Sequence, residues 1–126
     1  MKITQQTILI TGASSGLGRS LALSLAAGNN NLVVTARRKE LLDELAKEVE
    51  RAGSRCLALA ADATNTDACA RVVEQAAARF GGIDIAVLNA GGGSATVMGS
   101  PAATAASVLD TMAKNYATFV NFLCPV

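Results

Sequence analysis

Apolar residues along this chain switch between two arrangements, short continuous runs and stripes that recur every three to four positions. That switching predicts a succession of strands and helices. Thr7-Ile8-Leu9-Ile10-Thr11 is a β-branched run ending in a glycine turn. A helical stripe follows from Leu17 through Leu21 and Leu25, with Gly28 as its stop. Leu32-Val33-Val34-Thr35-Ala36 predicts a second strand, and Glu40 to Ala52 an amphipathic helix with Leu42, Leu45, Ala46 and Val49 on one face. Cys56 to Ala60 predicts a third strand. The polar stretch Asp62 to Asp67 opens a helix that turns Cys69, Val72, Val73, Ala76 and Phe80 inward. Gly81-Gly82 stops it, and Ile83 to Leu88 predicts a fourth strand. Asn89 to Pro101, rich in glycine and serine, reads as a loop, and from Ala102 the chain is helix-permissive to its end.

Strands this apolar need cover on both faces, so the pattern predicts an α/β fold, a parallel sheet flanked by helices. Right-handed crossovers place the strands in the order 3-2-1-4, a doubly wound arrangement that reverses direction between strands 1 and 4. The reversal leaves a crevice at their carboxyl ends, and a glycine-rich loop follows each of these two strands. That is the strongest structural argument for a ligand here.

Composition narrows the picture. With 126 residues, 51% of them apolar, the chain suits one globular domain and not a disordered segment. Ten acidic residues nearly cancel eleven basic ones and no basic run stands out, which argues against nucleic acid or an anionic membrane as the main partner. No apolar stretch reaches the ~18 residues of a membrane span, and none precedes a cleavage site, so the expectation is a soluble, cytoplasmic chain. Cys56, Cys69 and Cys124 are odd in number and widely spaced, and there is no histidine and no C-x-x-C pair. The expectation is reduced packing cysteines and no metal.

Thr11-Gly12-Ala13-Ser14-Ser15-Gly16-Leu17-Gly18 joins the first strand to the first helix. Glycines at this spacing allow a tight turn and let a pyrophosphate sit against a helix N-terminus. Such turns also occur for purely structural reasons. The same residues fit G-x-S-x-G, with Ser14 as a hydrolase nucleophile, but that chemistry needs a histidine base and the chain has none. A Walker phosphate loop fails because no Gly-Lys-Ser/Thr follows. At the end of strand 2, where a carboxylate would select NAD, the chain carries Arg37 and Arg38. Guanidinium groups there can hold a ribose 2′-phosphate through paired, charge-assisted hydrogen bonds; the alternative is a pair of solvated charges at a helix start.

Taken together these motifs resemble the short-chain dehydrogenase/reductase family along essentially the entire chain. The family's T-G-x-x-x-G-x-G matches residues 11 to 18, and Asp62-Ala63 is similar to its adenine-contacting pair. Asn89-Ala90-Gly91 is similar to its N-A-G turn, and Asn115 falls where it keeps a catalytic-tetrad asparagine. The resemblance implies the nucleotide-binding Rossmann half of a classical member, one domain over residues 1–126 truncated to about four strands. By that resemblance Gly12, Ser14, Ser15, Gly16, Leu17 and Gly18 line the pyrophosphate and adenine ribose, and Arg37 and Arg38 hold the 2′-phosphate. Asp62 accepts from the adenine amino group beside the Ala63 backbone. Asn89 braces the sheet, while Ala90 and Gly91 let backbone approach the cofactor. Leu88 replaces the first asparagine of N-N-A-G, and Ser15 stands where some NADP-using members carry a basic residue. Preference for NADP(H) over NAD(H) therefore depends on Arg37 and Arg38.

The family's proton chemistry uses a serine, a tyrosine and a lysine four residues after the tyrosine. Tyr116 is the only tyrosine and Val120 stands four residues on, so its expected role is packing within the last helix. Two functional readings follow. In the first, the chain is the NADP(H)-binding segment of an oxidoreductase that transfers hydride between cofactor and a carbonyl or alcohol, and is inactive alone. In the second, it is a non-catalytic dinucleotide-binding module. Self-association is expected from an unprotected fourth strand and from Phe119, Phe122 and Leu123.

Overall fold

The computed structural model describes residues 2–91 and 105–123. Its strands form where side chains can be buried on alternate sides. In β1 (Thr7–Thr11) all five residues are buried, and in β2 (Asn31–Ala36) the four central ones are. β3 (Arg55–Ala60) and β4 (Ile85–Val87) flank them in one parallel sheet of order β3-β2-β1-β4. Register runs from Thr7 opposite Asn31 to Thr11 opposite Thr35, so the carboxyl ends of β1 and β2 lie level.

Alternation along these strands feeds two cores. Ile8, Ile10, Leu32 and Val34 pack beneath α1 (Gly16–Leu25) and α2 (Lys39–Arg51), against Ala22, Leu42, Leu45 and Val49. Leu9 and Val33 face the other way, onto Cys69, Val72 and Ala76 of α3 (Thr66–Phe80) and Phe122 of α4 (Ala105–Leu123). Both faces of the sheet are thus covered, as the apolar runs require.

Several boundaries and faces differ from the sequence expectation. β4 pairs over three residues, not the six from Ile83 to Leu88, because the Asp84 carboxylate takes the Thr7 amide at 2.7 Å just before it. α1 passes into a 3₁₀ turn at Ala26–Gly28, and the left-handed residue that ends it is Asn29, φ 52°, not Gly28. Gly18 and Ala22 are its buried residues, Leu21 and Leu25 of the expected stripe pack half-buried beside them, and Leu17 departs from it at 76% exposed. Tyr116 is 70% exposed and so does not pack within the fold, and Phe122 is fully buried and cannot belong to a surface patch. Loop residues 92–104, the first turn expected from Ala102, the Leu123 side chain and Cys124 lie outside what is described. None of the described helices is long and apolar enough to cross a membrane.

A polar cluster at the amino ends of the strands went unread in the sequence. Asn30, 1% exposed, donates through Nδ2 to the carbonyls of Ile3 (3.1 Å) and Leu25 (2.8 Å) and accepts the Gln6 amide at 3.0 Å. Its own amide donates to Ser54 Oγ at 2.9 Å, and Ser54 Oγ donates to the Ala26 carbonyl. This knot closes the end of the sheet opposite the crevice.

Candidate functional site

The carboxyl ends of the strands open into a cleft of about 890 Å³. Its walls hang from β2: the Ala13 amide donates to the Thr35 carbonyl (3.2 Å) and the Ala61 amide to the Ala36 carbonyl (2.9 Å). One strand end thereby anchors the turn after β1 and the segment after β3. Gly12, Ser14, Ser15, Arg37, Arg38, Asp62, Ala63, Asn89, Ala90, Gly91 and Asn115 all line this cleft. Gly16, Leu17 and Gly18 do not line it.

The glycine turn is built by two separate constraints. Gly16 sits at φ +57°, and a Cβ on it would point into open space, so backbone conformation is what selects glycine there. Gly18 is selected by contact: a Cβ would collide with the Gly12 carbonyl oxygen and come within 2.8 Å of Asn89 Nδ2. Asn89 itself reaches the Gly12 carbonyl at 3.4 Å, bracing the turn from the end of β4. Beyond the turn, α1 begins at Ser15 with no side-chain cap and no acidic residue in its first turn. Its first amides and positive dipole end are therefore left for an anion.

Across the cleft, Arg37 and Arg38 are exposed and neither takes part in a salt bridge among the described residues, whereas neighbouring Lys39 is committed to Asp43. Asp62 Oδ1 accepts from the Thr64 amide (2.9 Å) and the Thr64 hydroxyl (2.7 Å). Those two bonds, with a smaller contribution from the Arg37 charge, outweigh partial desolvation and hold its carboxyl below the ordinary aspartate range. The site therefore keeps a formal negative charge beside two guanidinium groups.

The fourth wall comes from α4. Asp110, Thr111, Lys114, Asn115, Thr118 and Phe122 line the cleft, and of these only Asn115 was legible in the sequence. Thr111, Asn115, Thr118 and Phe122 recur every three to four residues, a stripe that could have been read once Asn115 was placed. Thr118 Oγ1 lies 2.9 Å from the Ala90 carbonyl and 2.8 Å from the Asn115 carbonyl, and the Ala90 amide donates to Thr11 Oγ1 at 2.9 Å. These bonds clasp α4 to the end of β4. Thr11, Thr35 and Ala36 at the floor, and Ala61 and Thr64 beside Asp62, complete the lining.

Neither of the two described cysteines lines the cleft. Cys56 and Cys69 are free thiols; burial, then the Glu50 charge, pushes Cys56 up to about 12, and burial followed by the Asp62 charge also raises Cys69. Neither is a nucleophile near neutral pH.

A family model described as short chain dehydrogenase matches residues 6–124. The chain is 34% identical over 125 residues to an uncharacterized oxidoreductase of Myxococcus xanthus, covering 98% of this chain and 49% of that protein. It is 38% identical over 89 residues to a fatty acyl-CoA reductase of Mycobacterium tuberculosis, covering 71% of this chain and 30% of that one. Among solved structures, a short-chain type dehydrogenase/reductase from Mycobacterium marinum superimposes with TM-score 0.86 at 29% identity, over 98% of this chain and 49% of the other. L-sorbose reductase from Gluconobacter frateurii, complexed with NADPH and L-sorbose, gives TM-score 0.81 at 30% identity, over 100% of this chain and 48% of that one. The chain thus spans between about a third and a half of the length of these relatives.

Proposed function

The chain belongs to the short-chain dehydrogenase family, and on that premise we propose that its cleft holds NADP(H) in preference to NAD(H). The observation that carries the reading is one continuous cleft lined by both the glycine turn and the Arg37–Arg38 pair, with Asp62 beside them. Pyrophosphate lies against the uncapped start of α1, at Gly12, Ser14, Ser15 and Gly16. Gly18 acts indirectly, by letting the turn close on Gly12, and Leu17 covers the rim. Arg37 and Arg38 hold the 2′-phosphate, Asp62 and Ala63 flank the adenine, and Asn89, Ala90 and Gly91 form the wall toward the nicotinamide half, near Asn115. Fit is supported by the bare helix start and by Gly16 and Gly12, whose positive φ values of +57° and +66° shape the turn that leads into it.

When bound, the dinucleotide supplies the hydride, exchanged in a longer form of the enzyme with a carbonyl or alcohol. A second reading, dinucleotide binding without turnover by these 126 residues, has an observation of its own. Tyr116, the only tyrosine, is absent from the cleft lining and points outward, and the chain has no histidine. We further infer that copies associate through the outer face of α4.

Calorimetric titration tests the cofactor reading. NADPH is expected to bind at least about tenfold more tightly than NADH, the worth of one charged phosphate contact. Replacing Arg37 and Arg38 together by alanine should erase most of that difference. Equal affinities in the unmutated chain overturn the preference, and no binding of either overturns the dinucleotide site.

A further inference from the structure

Thr35 is the last buried residue of β2, 2% exposed, and it lies on the cleft floor. Its neighbours Val33 and Val34 show what the strand accepts here, since valine matches threonine in shape. By alternation its side chain shares the face of Val33, the face that packs against α3 and α4. Among the described residues Thr35 Oγ1 is the only buried side-chain polar atom without a hydrogen-bond partner. The other two buried threonines of the cleft lining are engaged: Thr11 Oγ1 accepts the Ala90 amide, and Thr118 Oγ1 reaches the Ala90 and Asn115 carbonyls. A buried hydroxyl left without a partner destabilises a fold, and valine would remove that cost while packing equally well.

We propose that the Thr35 hydroxyl is a ligand contact at the adenosine end of the cleft, and that it gains its hydrogen bond only when nucleotide enters. Register places it there: Thr35 pairs with Leu59 and precedes Ala36 and Arg37, so it lies between the 2′-phosphate arginines and the Ala61–Thr64 segment. A turn of about 120° about χ1 exchanges hydroxyl and methyl, a freedom that lets the hydroxyl meet ligand directly or through one carried water. The contact is separate from the arginines and indifferent to the 2′-phosphate. The inference depends on the dinucleotide reading above.

The test is Thr35→Val and Thr35→Ser, compared by melting temperature and by titration with adenosine 5′-monophosphate and with 2′,5′-ADP. Thr35→Val should bind both probes about five- to tenfold more weakly, with a melting temperature unchanged or a few degrees higher. Thr35→Ser should keep most of the affinity. Arg37→Ala, by contrast, should weaken 2′,5′-ADP alone. Unchanged affinity in Thr35→Val overturns the proposal while leaving the nucleotide site standing. A lower melting temperature in Thr35→Val also overturns it, because the hydroxyl would then be satisfied within the free fold. Failure of the unmutated, folded chain to bind either probe or NADPH overturns the dinucleotide reading itself, and this inference with it.

Discussion

Arg37 and Asp62 face one another across the cleft closely enough for the guanidinium to depress the carboxyl, yet no salt bridge joins them. Each charge remains open to a ligand: Arg37 to an anion, and Asp62, through the oxygen Thr64 does not occupy, to an amino group. Because the folded value of Asp62 lies below the unfolded one, its contribution is present above about pH 3.9 and fades only as pH falls through the lower folded value. Across pH 5 to 8 it is constant. An NMR titration of the Asp62 carboxyl should give a midpoint below the ordinary aspartate value, and Thr64→Ala should raise it, since Thr64 supplies the largest part of the shift. A midpoint unaffected by Thr64→Ala would mean that the hydroxyl is not the main cause and that the amide at position 64, which alanine keeps, holds the carboxyl down.

At the scale of elements, the two ends of the sheet are fixed by opposite means. The carboxyl end stays open because its loops are held by backbone bonds to β2 and by Asn89, Thr11 and Thr118. The amino end is closed by Asn30, which joins the N-terminal segment, the turn after α1 and the start of β3 through Ser54. Asn30→Ala removes three side-chain bonds and leaves buried carbonyls and an amide without partners. We expect a loss of about 2–4 kcal/mol, measured by urea denaturation, with the nucleotide affinity of the remaining folded protein unchanged. A loss under about 0.5 kcal/mol, the ordinary range for surface changes, would show that the knot is ornamental to stability. α4 is the other element whose setting matters. Its Thr118 clasp turns a mostly polar stripe toward the cleft and leaves apolar residues facing out.

For the molecule as a whole, that outward stripe has a consequence. Leu109, Met112, Tyr116 and Phe119 are 63%, 62%, 70% and 44% exposed, and their spacings of three, four and three read the same in both directions. Two copies of α4 packed antiparallel about a two-fold axis would set Leu109 on Phe119 and Met112 on Tyr116, an isologous contact. β4, paired only with β1 among the described residues, offers a second route to association. Light scattering should show dimers or larger species that Met112→Lys with Tyr116→Lys shifts toward monomer. A monodisperse monomer from the unmutated chain at high concentration contradicts the inference. Catalysis is also a whole-molecule matter. With no histidine and no Tyr-x-x-x-Lys in the 126 residues, we expect no NADPH consumption by this chain with reactive ketones, quinones or aldehydes, a deficit of at least about a hundredfold. Turnover above that of a Gly16→Val control would place the chemistry within these residues.

What the sequence determined by itself is whatever local periodicity and general chirality decide. Strand-like and helix-like runs in alternation, with right-handed crossovers, sufficed for the strand order 3-2-1-4, and hence for the crevice and the motifs that meet there. Gly12 and Arg37 stood out at strand ends, and Asp62, Asn89 and Asn115 through the family resemblance; all five line the cleft. Tertiary structure decided which way each helix is turned about its own axis. α1 turns Gly18 inward, against the Gly12 carbonyl and Asn89, and leaves Leu17 outside, and α4 buries Phe122 while exposing Tyr116 because Thr118 clasps Ala90. Asn30 and Thr35 were silent for the same reason. A polar side chain in a buried strand or turn declares its role only through the atoms brought around it, and those come from residues 24 or more positions away in the case of Gln6 and Ser54.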